Sequence, residues 1–154
     1  MQRLNSNGSD PWFIRLREQP QARLRLFCFP YSGAGASLFY PWVNVMPGNV
    51  ELIAVQYPGR ENRITEAPIN QLAPLLDELT EAIPGYRDKP IAFFGHSLGA
   101  LVAFELARRL TEHDGQHLVH LFVSSCYAPQ IPDPAEPIYA LPEAAFKAKL
   151  GGLN

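Results

Sequence analysis

The sequence predicts an α/β fold built on a mostly parallel sheet, and three observations carry that expectation. Short apolar runs alternate with helix-period segments along most of the 154-residue chain. The runs are largely continuous in their apolar character, as strands covered on both faces are. One of them, residues 91–94, leads through Gly95-His96-Ser97-Leu98-Gly99 into an amphipathic helix, which is G-x-S-x-G in the strand-to-helix setting of a nucleophile elbow. Parallel strands of this kind need right-handed crossovers. Their ligand crevice lies beyond the carboxyl ends of the strands.

Residues 12–16 form a short first strand. Residues 23–29 alternate and then become wholly apolar, the mark of a strand entering a covered sheet, and Pro30 ends it. The small, glycine-rich Tyr31-Ser32-Gly33-Ala34-Gly35-Ala36-Ser37 leads into a helix expected over 37–45. Residues 51–56 make the next strand, stopped by Tyr57-Pro58-Gly59, and a polar loop fills 60–68. Leu72, Leu75, Leu76, Leu79 and Ile83 form a helical stripe over 70–83, with Asn70 as the expected cap and Pro74 in the first turn. After the elbow, Leu101, Val102, Phe104, Leu106 and Leu110 mark the following helix. Residues 118–124 are a further strand, the chain from Tyr127 is proline-rich, and 141–150 begin another helix. The loops at 30–37, 57–68, 95–99 and 124–137 all leave from one rim.

The length suits one domain with a sizeable core. A composition 47% hydrophobic and 18% charged is that of a globular chain. A net charge of -2 offers no footprint for nucleic acid, and no basic run invites an anionic membrane. No apolar stretch reaches transmembrane length, and the polar start MQRLNSNGSD, read as a disordered tail over 1–10, lacks the apolar centre of a signal peptide. Cys28 and Cys126 sit as separate thiols in apolar surroundings, which points to a reduced, cytoplasmic setting.

At an elbow the turn is so tight that strand and helix backbones nearly touch, so the positions two before and two after the serine must lack bulk. Gly95 and Gly99 meet that need and Ala100 keeps the next contact small. Ser97 is therefore the expected nucleophile; the plainer alternative is a serine that caps the helix with its hydroxyl. A serine nucleophile requires a base, an acid to orient it, and donors for the tetrahedral oxyanion. The Leu98 backbone N–H is one donor; the second is expected from Ser32, with Gly33 as the alternative, in a loop that is otherwise a simple glycine turn.

No base is found. His96 adjoins Ser97, but consecutive side chains at an elbow diverge, so its reading is structural. His113, His117 and His120 follow a helix of about 14 residues, roughly 20 Å of rise away from the elbow, on the opposite rim. Asp133 is placed on a rim loop and is a weak candidate acid; a surface aspartate between two prolines is the commoner meaning. No cluster has metal-ligand spacing, and Gly33-Ala34-Gly35 is neither a P-loop nor a dinucleotide fingerprint.

Three motifs in order carry a resemblance: Phe27-Cys28-Phe29-Pro30-Tyr31-Ser32-Gly33-Ala34-Gly35, then Gln56-Tyr57-Pro58-Gly59-Arg60-Glu61-Asn62-Arg63, then Gly95-His96-Ser97-Leu98-Gly99-Ala100. From about Trp12 onward the chain resembles the type II, or editing, thioesterases of nonribosomal peptide and polyketide synthesis. It departs from them in the oxyanion loop, where the family usually has a small residue followed by two consecutive glycines. The resemblance implies an α/β-hydrolase fold, with an incomplete core over 11–132, the start of a helical lid over 133–154, and carboxy-terminal strands bearing the catalytic Asp and His still to come. Neither of those partners matches a position here. It also implies release of aberrant or stalled acyl groups from phosphopantetheine on acyl or peptidyl carrier proteins through a Ser97 acyl-enzyme, with no cofactor of the enzyme's own, and poor turnover by these 154 residues alone. Two other readings stand beside it: a carrier- or acyl-binding module without chemistry, and another serine esterase or acyltransferase.

Overall fold

The computed structural model describes residues 10–114, 117–128, 131 and 141–151. Residues 1–9 of the tail expected over 1–10, Asp133, and half of the expected start of a lid (133–140 and 152–154) lie outside the described residues. Among the described residues five strands form one sheet: β1 (Phe13–Arg15), β2 (Leu24–Phe29), β3 (Val50–Val55), β4 (Ile91–His96) and β5 (Leu118–Ser124). Their order is β1-β3-β2-β4-β5. β2 to β5 are parallel, and β1 runs antiparallel to β3. The mostly parallel sheet is thus formed as expected, and the chain leaves β2, β3, β4 and β5 on a common rim.

Helices α1 (Leu72–Ala82) and α2 (Leu98–Asp114) share one face of the sheet, where Leu75, Leu76, Leu79, Val102, Leu106 and Leu110 close over Phe27, Ile53 and Phe93. Phe13, Phe27, Phe93 and Phe29 meet successively edge to face across this layer, with centroids 4.9 to 5.9 Å apart. The opposite face is covered by residues 36–44, whose Phe39 and Trp42 pack on Leu26, Cys28, Ala92 and Phe94. That segment is a 3₁₀ helix rather than the expected α-helix. In α-winding the ring of Pro41, in its middle, would clash with the carbonyl of Ser37 four residues back, which disfavours the α form there. Helix α3 (Glu143–Gly151) follows at the end of the described chain.

Asn70 is not the cap of α1. Gln71 occupies that position without a side-chain bond. The reason is Pro74: a helix capped at Asn70 would need the residue 74 amide for its first internal bond, and proline has none. Shifting the start by one residue makes Leu75 N–H, bonded to Gln71 O at 3.4 Å, the first donor. In α2 the buried surface is richer in alanine than the expected stripe, with Ala100, Ala103 and Ala107 beneath the helix and Leu101 38% exposed. Small residues let α2 lie close to β4. Strand β5, the edge strand among the described residues, carries exposed Val119, Phe122 and Val123, with Phe122 and Val123 on opposite faces.

At the rim away from the elbow, Arg25 is buried between two carboxylates. Its Nε meets Glu51 Oε2 at 2.5 Å, its Nη1 pairs with Asp88, and it also donates to Tyr86 O at 2.8 Å. Arg15 completes the pairing of Glu51 at 3.0 Å. The Arg25 hydrogen bond holds the Asp88 carboxyl below the usual carboxylate range. A lowered carboxylate contributes stability above its unfolded value, and that contribution is lost as pH falls through the lowered one. Breaking a buried pair strands a charge in the interior. Glu51→Ala should therefore lower the unfolding free energy by about 3 kcal/mol in urea denaturation. A loss under about 1 kcal/mol, the size of an exposed pair, would contradict a buried network.

Candidate active site

The elbow is built as its sequence requires. Ser97 has φ 52°, in the left-handed region that side chains enter at a cost of order 1–3 kcal/mol. The surrounding contacts impose it. A Cβ on Gly95 would overlap Gly99 O and the Cα of Ala100, and one on Gly99 would overlap the carbonyl oxygens of Phe29 and Pro30. Strand β4, helix α2 and the end of β2 are therefore in backbone contact at this point. Ser97 N–H donates to Ser124 O at 2.9 Å, tying the turn to the end of β5. The Ser97 side chain is exposed and forms no hydrogen bond to the helix amides among the described residues, so the capping alternative is not what the serine does here.

The glycine-rich loop lies beside the elbow. Ala34 N–H donates to Tyr31 O at 3.1 Å, and Gly33 has φ 89°, the left-handed third position that a type II turn demands. Ser32, Gly33 and Leu98 line one cavity of about 70 Å³, together with Tyr31, Tyr57 and Arg60 among others. Leu98 also borders a cleft of about 540 Å³ formed with Ser97, Leu101, Ser125, Cys126 and Tyr127. The fold thus brings Ser32 and Gly33 to the same cavity as Leu98, the residue after the serine. The amides of Ser32, Gly33 and Leu98 have no hydrogen-bond acceptor among the described residues.

His96 Nδ1 lies 3.1 Å from Ser124 Oγ and its ring meets Tyr31 edge on at 5.8 Å, so it bridges β4 to β5 instead of reaching the serine. His120 is registered with Ala92, near the amino end of β4 and away from the elbow, and stacks against Phe122 at 4.3 Å. No histidine bonds to Ser97 Oγ among the described residues. Tyr57, also on this rim, has a buried hydroxyl without a partner among the described residues, and burial pushes its pKa up, which keeps it neutral. Among the described residues no group of three or more His, Cys, Asp or Glu side chains could hold a metal ion.

The residues that spacing did not single out are Gln56 and Glu61. Gln56 is fully buried and accepts from Ala36 N–H at 2.8 Å. Glu61 accepts from Ser37 N–H at 3.2 Å and Ser37 Oγ at 2.5 Å. The available signal was a glutamine closing an otherwise apolar strand, Leu52-Ile53-Ala54-Val55-Gln56.

The thioesterase domain model matches residues 24–150, a span that takes in the strands β2 to β5, the elbow and the glycine loop. The chain belongs to the thioesterase family. It is 43% identical over 143 residues to the gramicidin S biosynthesis protein GrsT of Aneurinibacillus migulanus, covering 93% of this chain and 56% of that one. It is 36% identical over 144 residues to the thioesterase PikA5 of Streptomyces venezuelae, covering 93% and 51%. Among solved structures, the type II thioesterase BorB from the borrelidin biosynthetic cluster superposes with a TM-score of 0.80 at 32% identity, covering 94% of this chain and 59% of that one. The chain spans about half the length of the curated relatives it matches. Its likeness to BorB supports the α/β-hydrolase-like fold expected from the sequence.

In this thioesterase chain the contact at Gly99 has no room for a side chain. Gly99→Ala is expected to lower the unfolding free energy by roughly 2–4 kcal/mol, because neither β2 nor α2 can withdraw without breaking its own ladder. Chemical denaturation measures it, and a change within about 0.5 kcal/mol, as at an ordinary surface site, would show that the backbones are not in contact.

Proposed function

We propose that this chain carries the nucleophile and the oxyanion donors of a thioester hydrolase acting on acyl groups held by the phosphopantetheine arm of carrier proteins. The observation that carries the reading is the strained Ser97 in a cleft that Leu98 also lines, with Ser32 in the adjoining cavity on Leu98 and both amides without an acceptor among the described residues. Support for the substrate class comes from the relatives, which include a gramicidin S biosynthesis protein, the thioesterase PikA5 and a type II thioesterase from the borrelidin biosynthetic cluster. Removal of aberrant or stalled acyl units is the role that fits a thioesterase of such a pathway, in the cytoplasm where the synthases work.

In the proposed reaction Ser97 Oγ attacks the thioester carbonyl carbon while its proton passes to a general base. The carbonyl oxygen becomes an oxyanion, held by the Leu98 and Ser32 amides, with Gly33 as the alternative donor. The C–S bond breaks, the thiolate takes the proton, and the acyl group remains on Ser97 as an ester. Water then adds to that ester, giving up a proton to the same base, and the carboxylic acid leaves as Ser97 Oγ recovers its proton. Neither His96 nor His120 is placed to serve as the base, and the reading takes the base from elsewhere in the protein. The preorganised amides need no reorientation as charge develops, which is why such donors are worth 10²–10³ in rate each in well-studied hydrolases.

The test is thiol release from an acyl-carrier protein and from the matching oxygen ester by the full-length gene product. Ser97→Ala should lower thioester turnover by at least about 10³. Tight carrier binding with no thiol released would instead favour a binding module. Preference for the oxygen ester would favour another serine esterase.

A further inference from the structure

We propose that Glu61, acting with Gln56, is a positioning residue that holds the Tyr31–Ala34 turn in place for oxyanion binding; the inference rests on the hydrolase reading above. Both side chains belong to the loop after β3, yet their polar atoms engage the loop after β2. Gln56 sits just beyond β3 with no exposed surface. Its amide is used at both ends: Oε1 accepts from Ala36 N–H at 2.8 Å and Nε2 donates to Arg60 O at 2.9 Å. It therefore fixes the two loops to each other. Arg63, laid over the Trp12 ring at 4.7 Å, donates to Gln56 O at 2.9 Å and holds the glutamine backbone in turn.

Glu61 adds the second post. Its carboxylate takes both the Ser37 N–H and the Ser37 hydroxyl, the first groups of the 36–44 3₁₀ helix that would otherwise lack partners. Two features mark this contact as imposed by the fold. Glu61 itself has φ 44°, a left-handed backbone in a residue with a bulky side chain. Gly35 leaves the space that the carboxylate fills, since a Cβ there would lie 2.5 Å from Glu61 Cδ. Gly35 is extended, with φ −128° and ψ −162°, so an L-residue could adopt its backbone. The glycine is required by the glutamate and not by the turn.

The geometry gives the turn two anchors. At its start, Phe29 and Pro30 are pressed against Gly99 of the elbow. At its end, Ala36 and Ser37 are held by Gln56 and Glu61. The short stretch between them carries Ser32 and Gly33, whose amides point to no acceptor among the described residues. Releasing the second anchor lets Ser32 move relative to Leu98, and an oxyanion donor displaced by a fraction of an ångström loses most of its effect on the transition state while substrate binding persists.

The experiment pairs kinetics with backbone amide exchange on the full-length protein. Glu61 is exposed, so Glu61→Ala should keep the thermal midpoint. Its kcat should fall roughly 10- to 100-fold with KM nearly unchanged, as expected for a weakened oxyanion donor. Exchange at residues 32–37 should quicken while the sheet is unaffected. Glu61→Gln, which keeps an acceptor oxygen, should recover part of the kcat. Gly35→Ala alone should lower kcat, yet add little in the Glu61→Ala background, because the two changes disturb one contact. Unchanged kcat and exchange in Glu61→Ala would overturn the proposal, as would fully multiplicative effects with Gly35→Ala. Were the unaltered protein to release no thiol, the hydrolase reading would fall, and exchange would decide the anchoring alone: quickened at 32–37 it stands, unchanged it is overturned.

Discussion

The structure turns on a single close approach, where the backbones of β2, β4 and α2 meet around Gly95 and Gly99. Strand β4 and helix α2 cannot be joined so tightly unless both glycines lack side chains, and the joint forces Ser97 into a left-handed backbone. The same contact presses α2 against the exit of β2, so the glycine-rich loop must start beside the serine. Ser97 and the glycine-rich loop are thereby placed by main-chain packing, which tolerates far less drift than side-chain contacts do. The strain at Ser97 persists because the surrounding sheet and helix over-determine it.

Around that joint the polar groups divide by depth. Cys28 is buried in the sheet, where desolvation pushes its thiol up and leaves it without thiolate character. Tyr57 is kept neutral for the same reason. Tyr86 is likewise pushed up to about 12, chiefly by burial, and serves packing beside Phe13 and Phe27. Two buried arginines are paired, Arg25 with Glu51 at the far rim and Arg63 with Glu66 beneath the loop after β3, while buried Asp10 accepts from Trp12 N–H at 2.8 Å and burial raises its carboxyl. Ser97 is exposed, and the amides of Ser32 and Leu98 have no acceptor among the described residues.

Much of this was legible in the sequence because the decisive features are local. Continuous apolar runs marked β2, β3, β4 and β5, and the stripe from Leu72 to Ile83 marked α1. The spacing of Gly95 and Gly99 about Ser97 encoded a tight turn directly. Misplaced features arose where one residue competed with a pattern. Pro41 turned an expected α-helix into 3₁₀ winding, and Pro74 moved the cap from Asn70 to Gln71. Gln56 and Glu61 were hidden for a different reason: their partners, Ala36 and Ser37, are 20 and 24 residues away, and nothing in a linear pattern reports a contact between two loops. The exposure along β5 was similarly opaque, because an apolar run does not say which of its residues a neighbour covers.

On the proposed function, the backbone joint makes Ser97 the nucleophile. Intact-protein and peptide mass spectrometry of the full-length protein after brief exposure to an acyl-pantetheine thioester tests this. One acyl group is expected, attached to the peptide carrying Ser97 and missing from Ser97→Ala. An acyl group found instead on Cys126, which borders the same cleft, or no acylated protein at all, would contradict it.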